Sequence, residues 1–211
     1  MNSIEAFILV GGRSSRMGRD KASIVINGKS LVERSIDCIG KALGNVSISI
    51  VTRSGQQASS ISVNVPIIFD HHQDRGPWGG VEAALSRSNA EWTFIMACDY
   101  PLMSPDVIKF LVENVSDEFD AIVTRQTDGK LQPLCALYRT SICAAAVSAI
   151  LAENETPPLR VFFEKVRTRV IPITAFAHLA DAENCFLNVN TEADLDKAIS
   201  LLEVREPFVS E

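Results

Sequence analysis

A chain of 211 residues has the length expected of one domain and is long enough to bury a substantial core. It is 46% hydrophobic with both charge signs present, the balance of a soluble globular protein, and its formal charge of −6 argues against a general nucleic-acid binder. The five scattered cysteines form no C-x-x-C, so neither a disulfide framework nor a zinc site is indicated; no stretch approaches membrane-spanning length, the first apolar run is too short for a signal peptide, and the cytoplasm is the expected compartment.

The first predicted element is a buried strand, Ala6-Phe7-Ile8-Leu9-Val10, which must end at Gly11-Gly12 because paired glycines mark a turn. Arg13, Ser14, Ser15, Arg16, Arg19 and Lys21 then place four cations and two hydroxyls in nine residues. Successive turn N–H groups make an anion-binding concavity, and the cations deepen it, so a polyphosphate is the natural guest. A solvated basic loop is the plainer alternative. Five residues separate Gly12 from Gly18 and Lys21 does not follow Gly18, so this is not a P-loop. No G-x-G-x-x-G is present, which removes the dinucleotide fingerprint.

Ala22 to Ile26 is a short β-branched segment closed by the turn pair Asn27-Gly28. Ser30 and Glu33 have capping-box spacing, and Val32, Ile36, Ile39 and Leu43 then form one helical stripe that Gly44 ends. Val46 to Thr52 alternates toward a second strand. Ser54 to Ser62 is a weak helix or a loop, and Val65 to Phe69 is a third short strand, ending at Asp70. Gly76-Pro77-Trp78-Gly79-Gly80 reads as a second glycine-rich turn opening a helix through Val81, Ala84 and Leu85. Trp92 to Ala97 is a strongly apolar strand followed by Cys98-Asp99-Tyr100-Pro101. Ser104 and Pro105 read as N-cap and first helical residue.

From Asp120 the pattern changes to two strand-like runs, Ala121 to Gln126 and Leu131 to Tyr138, joined at the hairpin signal Asp128-Gly129. Pro133 argues that the second lies partly at an edge. A helix from Thr140, a short helix from Leu159, a strand near Arg169 to Ile173, a short strand at Phe186 to Val189 and a final helix capped by Thr191 complete the chain. The predicted fold is α/β: one doubly wound, mostly parallel sheet with a small antiparallel hairpin. The domain is expected over 1–204, with 205–211 a frayed tail.

Ligands of open α/β sheets bind beyond the carboxyl ends of the strands. Four polar motifs fall there: Gly11 to Lys21, Asp70, Asp99, and Asn188 with Asn190. A carboxylate just past a buried strand, such as Asp99, is costly unless paired, capped or bound to a cation. Asn188 and Asn190 are two apart, so on an extended segment both amides face the same way. Asp70 is either a base contact or a turn former. His71, His72 and His178 form no evident triad with a nucleophile.

The pattern G-G-x-S-x-R-M-G-x-D-K is complete in Gly11 to Lys21, and with it the chain resembles the molybdopterin guanylyltransferases of the MobA family over nearly its whole length. Cys98 to Pro101 resembles the family's C-D-x-P metal motif, Asn188 to Thr191 its N-V-N-T, and Gln132-Pro133-Leu134 with Ala136-Leu137-Tyr138 a segment near its acceptor side. The resemblance implies a Rossmann-like nucleotidyltransferase fold and transfer of GMP from GTP to molybdopterin with release of pyrophosphate. It implies Mg²⁺ as cofactor with Asp99 as its ligand, and Lys21, Arg16 and Asp99 as the catalytic groups. Nucleotide and acceptor would be bound by Leu9, Val10, Gly11, Gly12, Lys21, Asp70, Asp99, Asn188 and Asn190. The implied partners are GTP, molybdopterin and molybdoenzyme maturation proteins, with no nucleic acid and no membrane. Three rivals stand beside this reading: cytidylyl transfer to the same acceptor, sugar-1-phosphate nucleotidyl transfer, and an inert nucleotide-binding module. Related cytidylyltransferases tend to carry Ala-Ala-Gly where this chain has Val10-Gly11-Gly12, which favours guanine.

Overall fold

Apolar runs of five to seven residues, too short for buried helices, become the strands of one central sheet. The computed structural model describes residues 2–11, 24–53, 63–70, 72–153 and 156–205. Its strands are β1 (Ile4–Val10), β2 (Val25–Ile26), β3 (Lys29–Ser30), β4 (Ser47–Thr52), β5 (Ile67–Phe69), β6 (Trp92–Ala97), β7 (Ala121–Arg125), β8 (Leu131–Arg139) and β9 (Thr168–Pro172). Seven of them form a sheet in the order β5-β4-β1-β6-β8-β7-β9; β2 and β3 pair separately as an antiparallel hairpin. Only β8 runs against its neighbours in the large sheet. The mostly parallel, doubly wound sheet expected from the sequence is therefore observed.

The helices are α1 (Leu31–Leu43), α2 (Pro77–Arg87), α3 (Pro105–Glu113), α4 (Thr140–Leu151), α5 (Phe162–Lys165) and α6 (Glu192–Arg205). Because side chains alternate along a strand, each central strand feeds two cores. Ala6, Ile8, Val10, Phe94 and Met96 pack with Ile39 of α1 and Ile108 and Leu111 of α3. Phe7, Leu9 and Ile95 pack on the other face with Val81 and Leu85 of α2, Val147 of α4 and Phe162 of α5. A third cluster joins Ile24, Ile26 and Leu31 to Leu102, Val189 and Leu202, and so fastens the hairpin and α6 beside the Asp99 turn.

Local signals explain several boundaries. Ser30 Oγ accepts from Glu33 N–H at 3.1 Å while Glu33 Oε2 accepts from Ser30 N–H at 2.7 Å, the reciprocal box its spacing predicts. These bonds hold the Glu33 carboxyl below its ordinary pKa. Thr191 and Asp194 make the equivalent exchange at the start of α6. Asp120 is buried, and Arg167 grips it with two bonds of 2.8 and 2.7 Å, which hold its carboxyl low and join the starts of β7 and β9.

Three expectations are corrected. Gly79 and Gly80 are not in a turn, because α2 already begins at Pro77 and takes both into its first turns. Pro133, by contrast, lies partly at an edge as expected: β6 pairs with β8 only from Cys135 to Arg139, so Pro133 falls where β8 has β7 alone beside it and where the β7–β8 register shifts. Phe186 to Val189 forms no strand; it runs without a ladder against the Asp99 turn. Arg205 is no tail residue, since it ends α6, donates to Leu102 O at 3.0 Å and pairs with Asp181 at 2.8 Å. The possible helix at Ser54 to Ser62 lies outside the described residues. All five cysteines are free and buried, and burial pushes the Cys38, Cys143 and Cys185 thiols up to about 12. Those three are inert packing groups.

Candidate active site

The chain enters the sheet at β1, extends to one side through β4 and β5, then crosses β1 to place β6 on its other side. Such a reversal opens a crevice at the carboxyl ends of the strands. A cleft open to solvent lies there, with Leu9 and Val10 of β1 and Gly11 just after it, Thr52 of β4 and Arg53 just after it, Asp70 after β5, and Cys98 and Asp99 after β6 around it. Gly11 holds φ 128°, a value that favours glycine, so the chain turns sharply as it leaves β1. Cys98 N–H donates to Leu9 O at 3.1 Å, which carries the β1–β6 ladder up to Asp99. The side chains of Leu9 and Val10 belong to the core, so these residues can offer a ligand chiefly their backbone.

Asp70 is only 3% exposed. Its N–H donates to Thr52 O at 2.9 Å, and its Oδ1 accepts from His72 N–H at 2.6 Å. The turn role is thus present, and the same carboxylate also lines the cleft. Its bed is the first turn of α2. A Cβ on Gly79 would lie 2.2 Å from Asp70 Oδ1, so only glycine admits the carboxylate there. Gly80 faces Leu9 in the same way, at 3.2 Å. Gly79 is thus required by close approach rather than by a turn, whereas Gly80 only eases a contact with Leu9.

Gly79→Ala is therefore expected to displace the Asp70 side chain. The overpacking should cost about 1–3 kcal/mol, read as a fall in melting temperature, with weaker nucleotide binding by calorimetry. Gly80→Ala meets only a flexible leucine methyl and should lose less. If the Gly79 variant melts and binds as the parent does, Asp70 is not held by this glycine.

The rim is braced from outside. Trp78 donates Nε1–H to Pro157 O at 2.7 Å and meets Phe162 edge-on at 6.3 Å. Arg75 donates to Thr156 Oγ1 at 2.6 Å. Together they hold 156–158 against the Gly76-Pro77 entry of α2, giving Trp78 a structural task.

On the β6 side, Val189 N–H donates to Asp99 O at 3.0 Å and brings the Asn188-Val189-Asn190 segment to the Asp99 turn. Asn188 and Asn190 differ in setting: Asn190 is exposed and its N–H donates to Asp194 Oδ2, whereas Asn188 is half-buried near Tyr100. Burial, with the Asp99 charge adding, drives the Tyr100 hydroxyl well above its ordinary pKa, so it stays protonated. Gly12, Arg16 and Lys21 lie outside the described residues, although Gly11 delivers the chain to the mouth of the cleft just before them.

Residues 6–169 match the MobA-like NTP transferase domain family, more than half of the chain. This chain belongs to that family. A probable molybdenum cofactor guanylyltransferase of Carboxydothermus hydrogenoformans is 30% identical over 98% of this chain and all of its own. A molybdenum cofactor guanylyltransferase of Vibrio vulnificus is 29% identical over 89% of this chain and 91% of its own. Among solved structures, the molybdopterin-guanine dinucleotide biosynthesis protein A of Archaeoglobus fulgidus superposes with a TM-score of 0.78 at 24% identity, over 95% of this chain and 99% of that one, and shares the fold.

Within this MobA-like frame, the structure brings Leu9, Val10, Gly11, Asp70 and Asp99 to one cleft, and the Val189–Asp99 backbone bond sets Asn188 next to the Asp99 turn. Sequence reasoning passed over Thr52 and Arg53. They end β4, so the rule that drew attention to Asp70 and Asp99 applies to them equally. Gln132 was noted only by resemblance, and its contact with Tyr100 had no signal in the spacing.

The site suits a hard divalent cation on chemical grounds. Among the described residues no three His, Cys, Asp or Glu side chains gather into an all-protein cage. Mg²⁺ asks for less, one or two carboxylates with substrate phosphates completing its shell, and Asp99 offers a carboxylate at the cleft wall.

Proposed function

We propose that this MobA-like chain transfers GMP from GTP to molybdopterin and releases pyrophosphate. An oxygen of the acceptor's terminal phosphate forms the new bond to the α-phosphorus, and the bond from that phosphorus to the β-phosphate oxygen breaks. The attacking phosphate is already ionised at neutral pH, so no general base is needed. What remains for the protein is alignment and charge stabilisation. The observation that carries the reading is the convergence of four strand ends on one cleft with Asp70 and Asp99 in its wall. The names of relatives that align along most of their length supply the substrates.

In this reading the backbone of Leu9 to Gly11, with the Gly12 to Lys21 part of the motif, cradles the triphosphate. Arg16 and Lys21 neutralise charge growing toward the leaving pyrophosphate. Asp99 would hold Mg²⁺, which when bound supplies positive charge to the phosphates. Asn188 and Asn190 would stand on the acceptor side. Five free cysteines fit a reducing compartment, and we place the reaction in the cytoplasm. Pyrophosphate release, measured with GTP, CTP and ATP in turn with molybdopterin and Mg²⁺, tests the proposal. GTP alone should support turnover, and a preference for CTP would replace guanylyl by cytidylyl transfer.

Base choice is assigned to Asp70. Guanine offers N1–H and N2–H₂ as adjacent donors and cytosine has no such pair. Asp70→Asn should cost about 1–3 kcal/mol of the GTP-over-CTP preference, the penalty of an unsatisfied buried partner. Calorimetry with both nucleotides checks this. Equal weakening of both would assign Asp70 to the turn alone.

A further inference from the structure

The register of the sheet delivers a cation to the cleft beside Asp70. Val10 pairs with Thr52 across β1 and β4, and Thr52 pairs with Phe69 across β4 and β5. Arg53 follows Thr52 and Asp70 follows Phe69, so both leave the sheet at one level, a strand spacing of about 4.8 Å apart. The bond from Asp70 N–H to Thr52 O, 2.9 Å, carries that register past the end of β5. Both also leave on one face. Val51 and Ile68 pack into the core under α2, and Arg53 and Asp70 each stand two positions further on. The Asp70 carboxylate accordingly lies on Gly79 of α2, and half-buried Arg53 lines the same cleft with Gly76 and Gly80. On the other side of Arg53 the row reaches Gly11, which has no side chain and leaves the space over the end of β1 to a ligand.

We propose that Arg53 is a specificity-determining residue that donates to O6 of guanine while Asp70 accepts from N1–H and N2–H₂. The proposal rests on the guanylyl reading and deepens it. Along its edge guanine presents donor, donor, acceptor: N2, N1, O6. A carboxylate followed one strand later by a guanidinium presents acceptor, acceptor, donor. Asp70 can satisfy only the two N–H groups, because its oxygens repel O6. Without a second residue O6 would lose water on binding and gain no donor, a loss that weakens any buried acceptor. Arginine suits the place, since its fork of N–H donors is planar and stays charged at every working pH. The pair rejects the other bases at two positions rather than one. Adenine offers an acceptor at N1 and a donor at position 6, so it opposes both groups. Cytosine has one exocyclic donor, flanked by the acceptor N3, and cannot fill the carboxylate with two adjacent N–H groups.

Calorimetry of nucleotide binding tests this without turnover, using two analogues beside GTP. 6-Thio-GTP replaces O6 by sulfur, a much weaker acceptor, and keeps both sets of N–H donors. Inosine triphosphate keeps O6 and N1–H and lacks the 2-amino group that Asp70 would bind. The parent should bind GTP about tenfold tighter than 6-thio-GTP, the weight of a charge-assisted hydrogen bond weakened rather than removed. Arg53→Met keeps an unbranched stem and removes the donors. It should weaken GTP about tenfold, weaken 6-thio-GTP little, and bring their ratio close to one. The ratio of GTP to inosine triphosphate should stay as in the parent. Arg53→Lys keeps one charged donor and should give an intermediate ratio of GTP to 6-thio-GTP. A structural or phosphate-binding role would weaken all three nucleotides by one factor and leave every ratio unchanged. That result overturns the proposal, as does unchanged GTP binding in Arg53→Met or equal binding of GTP and 6-thio-GTP by the parent. If Arg53→Met does not melt cooperatively, the Arg53→Lys ratio and the parent's own decide. A parent that prefers CTP fails the guanylyl reading itself, and the O6 contact falls with it; a parent that prefers GTP while the Arg53 variants keep its ratios fails the Arg53 assignment alone.

Discussion

Asp99→Asn is expected to lower turnover by roughly 10²–10³, the usual weight of one group that stabilises charge in the transition state. The change keeps shape and removes one negative charge at the wall of the cleft. Asp99 stands just past a fully buried strand, with its backbone carbonyl engaged by Val189 N–H. That backbone bond survives the substitution, so the turn and the third core cluster beside it should stay in place. The loss should appear as a weakened response to Mg²⁺, with GTP binding in the absence of metal much less affected. A Mg²⁺ titration of turnover for parent and variant, alongside thermal melting, separates the possibilities. If the two titrations overlay, Asp99 is not the metal ligand. If the variant melts far below the parent, the carboxylate serves the fold instead.

Particular residues show what the sequence could and could not reveal. The strands β1 and β6 were legible because both are uninterrupted apolar runs with polar turns behind them, and such runs have few other uses. Ser30 with Glu33 announced α1 because a reciprocal cap is a local exchange between residues three apart. Asp70 and Asp99 were legible as a pair only through topology, since nothing local says that strand ends 29 residues apart share a cleft. Gly79 was misread because glycine in sequence signals a turn, while here it signals a carboxylate pressed on a helix. That contact is tertiary and leaves no periodicity. The segment at Phe186 looked like a strand from its apolar residues, but its burial comes from Tyr100 and Phe176 rather than from a ladder. Pro133 was legible, since a residue without an N–H fits the part of β8 that extends past β6 and meets the β7 register shift.

The acceptor side was the least legible part. Asn188 and Asn190 were paired by a rule for extended chain, and the structure gives them different surroundings on a segment that is not a ladder strand. The Tyr100 to Gln132 bond spans 32 positions, and no motif predicts which way an amide is turned. Donor and acceptor counting in three dimensions supplies what spacing lacks.

Lys21→Ala is expected to reduce turnover by a comparable factor, roughly 10²–10³, while leaving the melting temperature near that of the parent. Lys21 closes the G-G-x-S-x-R-M-G-x-D-K pattern, whose first residue, Gly11, lines the cleft. Its proposed task is to meet negative charge as the bond to pyrophosphate breaks. That charge grows only during the reaction, so the loss should fall mainly on kcat and less on the affinity for GTP. Substitutions away from packed or paired groups usually stay within about 0.5 kcal/mol of the parent, and the proposed phosphate role gives Lys21 no part in the core. Lys21→Arg supplies the control: it keeps the charge but replaces a compact ammonium by a planar fork, and should recover part of the rate. Steady-state kinetics of pyrophosphate release for the three proteins, with melting curves beside them, give the answer. Turnover of Lys21→Ala near that of the parent would remove this lysine from the phosphate site. A collapse in melting temperature would assign it to the fold. A rate defect expressed wholly in KM would make it a ground-state anchor for the triphosphate, with the leaving group served by Arg16.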